Sequence, residues 1–189
     1  MAAQYMTTTL TSERLILRPW RDDDLDALVQ LCADPEVMGH FPDVLDRAGS
    51  AHLLARLMAH QAEHGFTFWA LQRHEDGAVI GFTGLARVGF EAPFVPAVEI
   101  GWRLARPCWG QGYALEAARR SLRFAFDELE LQEVVAFTVP ANLRSWSVME
   151  RLGMRRDPAD DFEHPGLPSG HPLRPHWLYR IQREDWHGR

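Results

Sequence analysis

Cysteine is scarce in this chain: Cys32 and Cys108 are the whole supply in 189 residues. They fall in no metal or redox spacing, so a disulfide framework is not indicated and a reducing cytoplasm fits. No apolar run approaches the ~20 residues that a membrane-spanning helix needs. The N-terminal residues lack the basic and apolar regions of a signal peptide. Basic residues are outnumbered, with 20 Lys and Arg against 26 Asp and Glu, a net charge of −6. Neither a nucleic acid nor a membrane is therefore an expected partner. A negative surface suits a cationic partner such as an amine, and it also aids solubility. There is no internal repeat and no low-complexity segment.

What is present is ordinary for a globular protein. Hydrophobic residues make up 46% and charged residues 24%. The length fits one domain with a real core, expected over residues 10–189, after a disordered terminus at residues 1–9.

Taken in order, Glu13 to Trp20 reads as a first strand stopped at Pro19. Asp22, Asp23 and Asp24 supply a cap and an acidic first turn for a helix. That helix buries Leu25, Leu28, Val29, Leu31 and Cys32, and ends at Asp34-Pro35. A loop from Gly39 to Asp46 precedes a second helix, about Ser50 to His64, closed by Gly65. Phe66 to Arg73 and Ala78 to Val88 form a hairpin about Glu75-Asp76-Gly77, with Gly81, Gly84 and Gly89 marking bulges or bends. Val98 to Leu104 alternates cleanly: Val98, Ile100, Trp102 and Leu104 face one way, Glu99, Gly101 and Arg103 the other. Glu133 to Val139 is the next strand, followed by a short helix with Trp146, Met149 and Leu152 inward. Asp157 to Pro175 reads as a long loop with five prolines and two glycines. A last strand spans His176 to Arg183. The order fits an α/β domain.

The organising stretch is Trp109-Gly110-Gln111-Gly112-Tyr113-Ala114. Two glycines let a ligand approach the backbone, and good helix formers follow. Leu115, Ala118, Leu122, Ala125, Phe126 and Leu129 lie at helical spacing. The first amides of such a helix have no intrahelical partner and form an anion site. A bare glycine turn capping a helix is the plainer reading. A Rossmann loop needs a third glycine where Leu115 stands, and a Walker loop needs Gly-Lys-Ser/Thr, which is absent.

This loop resembles the coenzyme A loop of the GNAT superfamily of N-acetyltransferases, with Trp109 in place of the usual Gln or Arg. The form W-G-Q-G-Y-A followed by Glu116-Ala117 resembles the RimJ/RimL-like branch. So do Arg14-Leu15-Ile16-Leu17-Arg18, Val98-Glu99-Ile100-Gly101-Trp102, and Asn142-Leu143-Arg144-Ser145 with Glu150-Arg151-Leu152-Gly153-Met154. The resemblance covers roughly residues 10 to 156. It implies a mixed, mostly antiparallel α/β sheet, splayed in the middle, with helices on both faces. It implies transfer of acetyl from acetyl-CoA to a primary amine, a small molecule, peptide or protein N-terminus, by direct attack and without a metal. Ile100, Gly101, Trp102, Arg103 and Leu104 would then contact pantetheine through the main chain. Trp109, Gly110, Gln111, Gly112, Tyr113 and Ala114 would bind the pyrophosphate. Asn142 would contact the pantetheine arm, and Ser145 would lie near the sulfur. Proteins of the family commonly dimerise, so a homodimer is an expectation of the resemblance alone.

Acetyl transfer needs a base, because an amine of pKa ~10 is protonated at neutral pH. Glu99 is the first candidate, with room beside it at Gly101; as a bare strand residue it is equally a solvated side chain. Ser145 is the candidate to hydrogen-bond the leaving thiolate. Asn142 also reads as an ordinary N-cap and Ser145 as a first-turn residue. Many GNAT enzymes carry a Tyr acid seven residues after this Asn. Here it is Met149, which donates no proton. That departure keeps a second reading open, a non-catalytic acyl-CoA sensor or interaction module on the same fold. Asp160, Asp161 and Glu163 either attract a cationic acceptor or are exposed without partners. His60-Gln61-Ala62-Glu63-His64 matches H-x-x-E-H of zinc proteases, but sits at a helix C-terminus, where the dipole favours His. Cys108 reads as a small packed thiol rather than a nucleophile.

Overall fold

Apolar residues at every second position make strands that must bury one or both faces, and here they assemble into one long sheet. The structure is a computed structural model, and it describes residues 8–188. Of the terminus read as disordered, residues 1–7 lie outside the described residues. The strands are β1 (Leu10–Thr11), β2 (Leu15–Arg18), β3 (Phe68–Arg73), β4 (Val79–Arg87), β5 (Val98–Leu104), β6 (Glu133–Thr138), β7 (Arg155–Arg156), β8 (Phe162–Glu163) and β9 (Pro175–Gln182). Their order is β1-β2-β3-β4-β5-β6-β9-β7, with β8 beside β9. Every pairing is antiparallel except β5 with β6. That parallel pair has one register contact, Glu99 with Val135, and the two strands then part. The splay expected in mid-sheet is therefore present.

Among the described residues four α-helices cover the sheet: α1 (Leu25–Ala33), α2 (Arg47–His64), α3 (Tyr113–Arg123) and α4 (Leu143–Arg151). On one face, Leu115, Ala118 and Leu122 of α3 pack with Val98, Ile100 and Leu104 of β5. On the other, Leu28, Leu31 and Cys32 of α1 and Leu54 and Leu57 of α2 pack with Ala70 and Phe82. The alternation in β5 thus assigns its even-numbered residues to α3 and leaves Glu99, Gly101 and Arg103 toward α1 and α2.

Several expectations shift by local physics. The first strand is only Leu15–Arg18, because Arg14 leaves it to pair with Glu116 of α3 at 2.7 Å. Asp24 does not serve as an exposed cap. Its carboxylate takes both Arg18 guanidinium donors, at 2.7 and 2.8 Å, and the backbone N–H of Arg21 at 2.8 Å. Asp46 is the cap that α2 uses, accepting from Gly49 N–H at 2.7 Å, so this helix begins earlier than expected. Gly65 ends it in the left-handed conformation at φ 79°. Gly81 marks the expected bulge: the register slips between Leu71 and Gln72 opposite it. A Cβ there would lie 2.2 Å from the Arg103 carbonyl oxygen, so only glycine lets β4 approach β5 this closely.

The long segment after residue 157 is not free loop. Phe162–Glu163 pairs with the start of β9. Its acids are engaged: Asp161 with Arg156, Asp160 with Arg180 and Glu163 with Arg174. Both earlier readings of these acids, as an amine lure or as unpartnered charge, are corrected by those pairs.

Candidate active site

Where β5 and β6 part, a cavity of about 1520 Å³ opens through the middle of the protein. Its walls come from β5, the glycine loop, α4, the loop before α2 and the segment before β9. The site residues expected from sequence border it, except Gln111. The Gln111 side chain turns away to donate to the Pro107 carbonyl at 2.7 Å.

The glycine loop is built as the sequence implies. Gly110 and Gly112 adopt φ 73° and 84°, values that L residues avoid. Gly112 caps α3, and its carbonyl accepts from Glu116 N–H at 3.0 Å. Among the described residues, the backbone N–H groups from Gly110 to Leu115 have no acceptor. Six amides at the positive end of a helix form an anion site in waiting. The loop is clamped from outside. Arg14 donates to the Gln111 carbonyl at 3.0 Å, lies over the Tyr113 ring at 4.4 Å and pairs with Glu116. Trp109 donates to the Leu104 carbonyl at 2.8 Å, tying the loop to the end of β5. Its ring carries the Arg144 guanidinium at 4.4 Å. Arg144 has no ion-pair partner among the described residues. Sequence reasoning passed over both arginines, although Arg14 lies in the opening phrase and Arg144 between Asn142 and Ser145.

At the far side of the slot, Asn142 caps α4. Its Oδ1 accepts from Ser145 N–H at 3.3 Å, while its Nδ2 donates to Thr138 Oγ1 at 3.0 Å. The side chain is therefore held between β6 and α4. Ser145 borders the cavity, and its hydroxyl has no partner among the described residues. Met149 is buried in the core beside α3.

Glu99 borders the cavity at the point where the strands part. No hydrogen bond or ion pair holds it among the described residues. Burial without a partner raises its carboxyl to about 8. A carboxylate of that pKa, facing a cavity, can take a proton near neutral pH. The long segment contributes His164 to the cavity rather than its acids, and β9 contributes His176. Their rings lie 5.2 Å apart, and burial lowers the pKa of each.

Two other expectations have clear outcomes. His60 is engaged at both nitrogens: Nδ1 meets the Phe66 carbonyl at 2.8 Å and Nε2 accepts from Arg87 N–H at 3.0 Å. That fixes a neutral ring and occupies both possible ligand atoms. Among the described residues, no group of three or more His, Cys, Asp or Glu could hold a metal. Cys108 is buried, and burial raises its thiol. Among the described residues, no helix is long and apolar enough to cross a membrane.

Residues 14–155 match the family model of the acetyltransferase (GNAT) domain. An uncharacterized N-acetyltransferase, YnaD of Bacillus subtilis, is 28% identical over 94% of this chain and 98% of its own length. The FsC-acetyl coenzyme A-N(2)-transacetylase of Aspergillus fumigatus is 33% identical over 94% of this chain and 77% of its own. Among solved structures, RimJ of Mycobacterium smegmatis in complex with CoA-disulfide superposes with a TM-score of 0.75. It is 21% identical and aligns over 96% of this chain and 90% of that one.

Proposed function

The chain belongs to the GNAT acetyltransferase family and is an acetyl-CoA-dependent acetyltransferase, and from that premise we propose that its acceptor is a primary amine. The amine attacks the thioester directly, within a ternary complex in the cavity.

The observation that carries the placement of the coenzyme in this reading is the run of amides from Gly110 to Leu115, unpaired among the described residues, beside the open slot. Phosphates of the coenzyme are placed on those amides, with the Arg144 charge beside them. The pantetheine arm lies between β5 and β6, along Ile100, Gly101, Trp102, Arg103 and Leu104, and reaches Asn142. The thioester then lies near the Ser145 hydroxyl, which is free to donate to the departing thiolate. A backbone N–H of β5 polarises the carbonyl.

Glu99 is assigned as general base, acting directly or through a water. It must be ionised to accept the proton, and it passes that proton on when the product leaves. Holding amine and thioester in contact supplies much of the remaining acceleration.

Calorimetric titration with acetyl-CoA tests the placement, in wild type and in Gly112→Trp, with folding of both checked by circular dichroism. Binding by wild type and its loss in a folded variant is the expected result. No binding by well-folded wild type would remove the proposal. Turnover with a panel of amines then separates catalysis from mere coenzyme binding.

A further inference from the structure

Arg103 is a cation with no anion. Its Nη1 donates to Cys32 Sγ at 3.2 Å, a weak acceptor. Its Nε is sealed from solvent and has no hydrogen-bond partner. Among the described residues it forms no ion pair. The guanidinium carbon lies 4.1 Å from the Phe41 ring centroid and 5.0 Å from that of Phe82. Aromatic rings satisfy a guanidinium through its faces. Apart from the Nη1 contact with Cys32, they leave its in-plane N–H donors unmet, and such donors fit a carboxylate.

Place matters as much as charge. Arg103 borders the central cavity, and so does Glu99. Both lie on the β5 face turned toward α1 and α2, away from the N-terminal amides of α3. Gly101 lies between them on that face, where a built Cβ would sit 3.1 Å from the Phe68 ring. The Phe68 ring fills the space over Gly101, so the surface between the two charged groups is apolar. Four residue steps along the strand separate their Cα atoms by roughly 13 Å, at about 3.3 Å per step. Phe41, which covers the guanidinium, is 40% exposed and belongs to the loop before α2.

We propose that Arg103 is a specificity-determining residue: it receives the carboxylate of an acidic acceptor whose amine lies near Glu99. The acceptor class is thus an amine carrying a carboxylate several bonds away, with an apolar stretch between the two. This inference rests on the assignment of Glu99 as base and of its side of the cavity as the acceptor site. The coenzyme phosphates are the rival anion, but the unpaired amides that suit them belong to the opposite face of β5.

The test compares ε-aminocaproate with n-hexylamine, and shorter and longer pairs of the same design, at saturating acetyl-CoA. Wild type is expected to favour the amino acid in kcat/KM by about tenfold or more, as charge-assisted hydrogen bonds imply. Arg103→Met should bring the ratio near one, and Arg103→Lys should keep part of it. Hexanoate should inhibit wild type in competition with the acceptor, and hexanamide should not; this arm needs no variant. Equal efficiencies in wild type, or a ratio that survives Arg103→Met, overturn the inference while acetyl transfer stands. So does a loss of acetyl-CoA affinity in Arg103→Met with the ratio unmoved, which would give the cation to the coenzyme. If acetyl-CoA binds and no amine is acetylated, the acceptor-site reading fails, and this inference with it.

Discussion

Arg144 lies across the face of Trp109, its guanidinium carbon 4.4 Å from the ring centroid. Trp109 precedes the first glycine of the loop and Arg144 lies in the first turn of α4, so the contact bridges the two walls of the slot. Trp109 stands where the coenzyme A loop that this stretch resembles is usually written with Gln or Arg. Here the positive charge arrives from α4 instead and uses the Trp ring as its platform. Arg144→Ala is expected to weaken acetyl-CoA binding by about tenfold, the scale of one charge-assisted contact. Calorimetry at two salt concentrations checks it. The variant should also bind with a shallower salt dependence, because one screened attraction is gone. An unchanged affinity would leave Arg144 as packing alone.

Glu99 governs a pH profile. Burial raises its carboxyl to about 8. With an acceptor amine that is neutral throughout, kcat/KM should climb as pH rises toward that value and then level. In Glu99→Gln the climb should vanish, and the rate should fall by about 10²–10⁴-fold, the usual contribution of a positioned base. A profile that keeps its shape in the variant would withdraw the assignment.

The same residue marks stability. A carboxyl whose folded pKa lies above its unfolded value favours folding while protonated. Its contribution is intact below the unfolded value of 4.5 and is lost as pH rises through about 8. Wild type and Glu99→Gln should therefore melt together at acid pH, and the variant should melt increasingly higher as pH approaches 8. Differential scanning calorimetry across that window reads the divergence. Parallel curves would mean that Glu99 is solvated after all.

Asp24 behaves oppositely. Burial pushes its carboxyl up, but the Arg18 guanidinium and the Arg21 N–H outweigh this and hold it below the usual carboxylate range. Its contribution is present at neutral pH and is lost as pH falls through that lowered value. Both side chains of the Arg18–Asp24 pair are only 8% exposed. Asp24→Ala should cost about 3–5 kcal/mol, since it strands a buried guanidinium. Denaturant unfolding at neutral pH measures it, and a cost under about 1 kcal/mol, the level of a surface pair, would contradict the burial argument.

Legibility in the sequence followed range. The glycine loop, the alternation of β5 and the Asn142 cap were readable because each is set by neighbours within a few residues. The strands of two residues, β1, β7 and β8, are too short to carry a period. The spacing of Ala125, Phe126 and Leu129 predicts that α3 continues as regular helix, yet Phe124–Glu128 is a π turn. The contacts that shape the site beyond its backbone join distant segments: Arg103 with Cys32, Arg144 with Trp109, Arg14 with Glu116. No local pattern encodes such pairs. The pairing of Asp160 is hidden for the same reason, since its partner Arg180 lies in β9 and is shared with Glu133 of β6.

The parting of β5 from β6 has a mechanical side. A sheet usually ends at its rim, where unpaired backbone groups meet water. This one also carries an edge in its interior, beginning just past Glu99 and Val135. The strands on either side are joined there by one rung and by the helices that span the gap. An extended ligand with amides of its own, laid in that gap, would act as a missing rung. Loading the co-substrate would then be, for this protein, the last step of completing its own sheet.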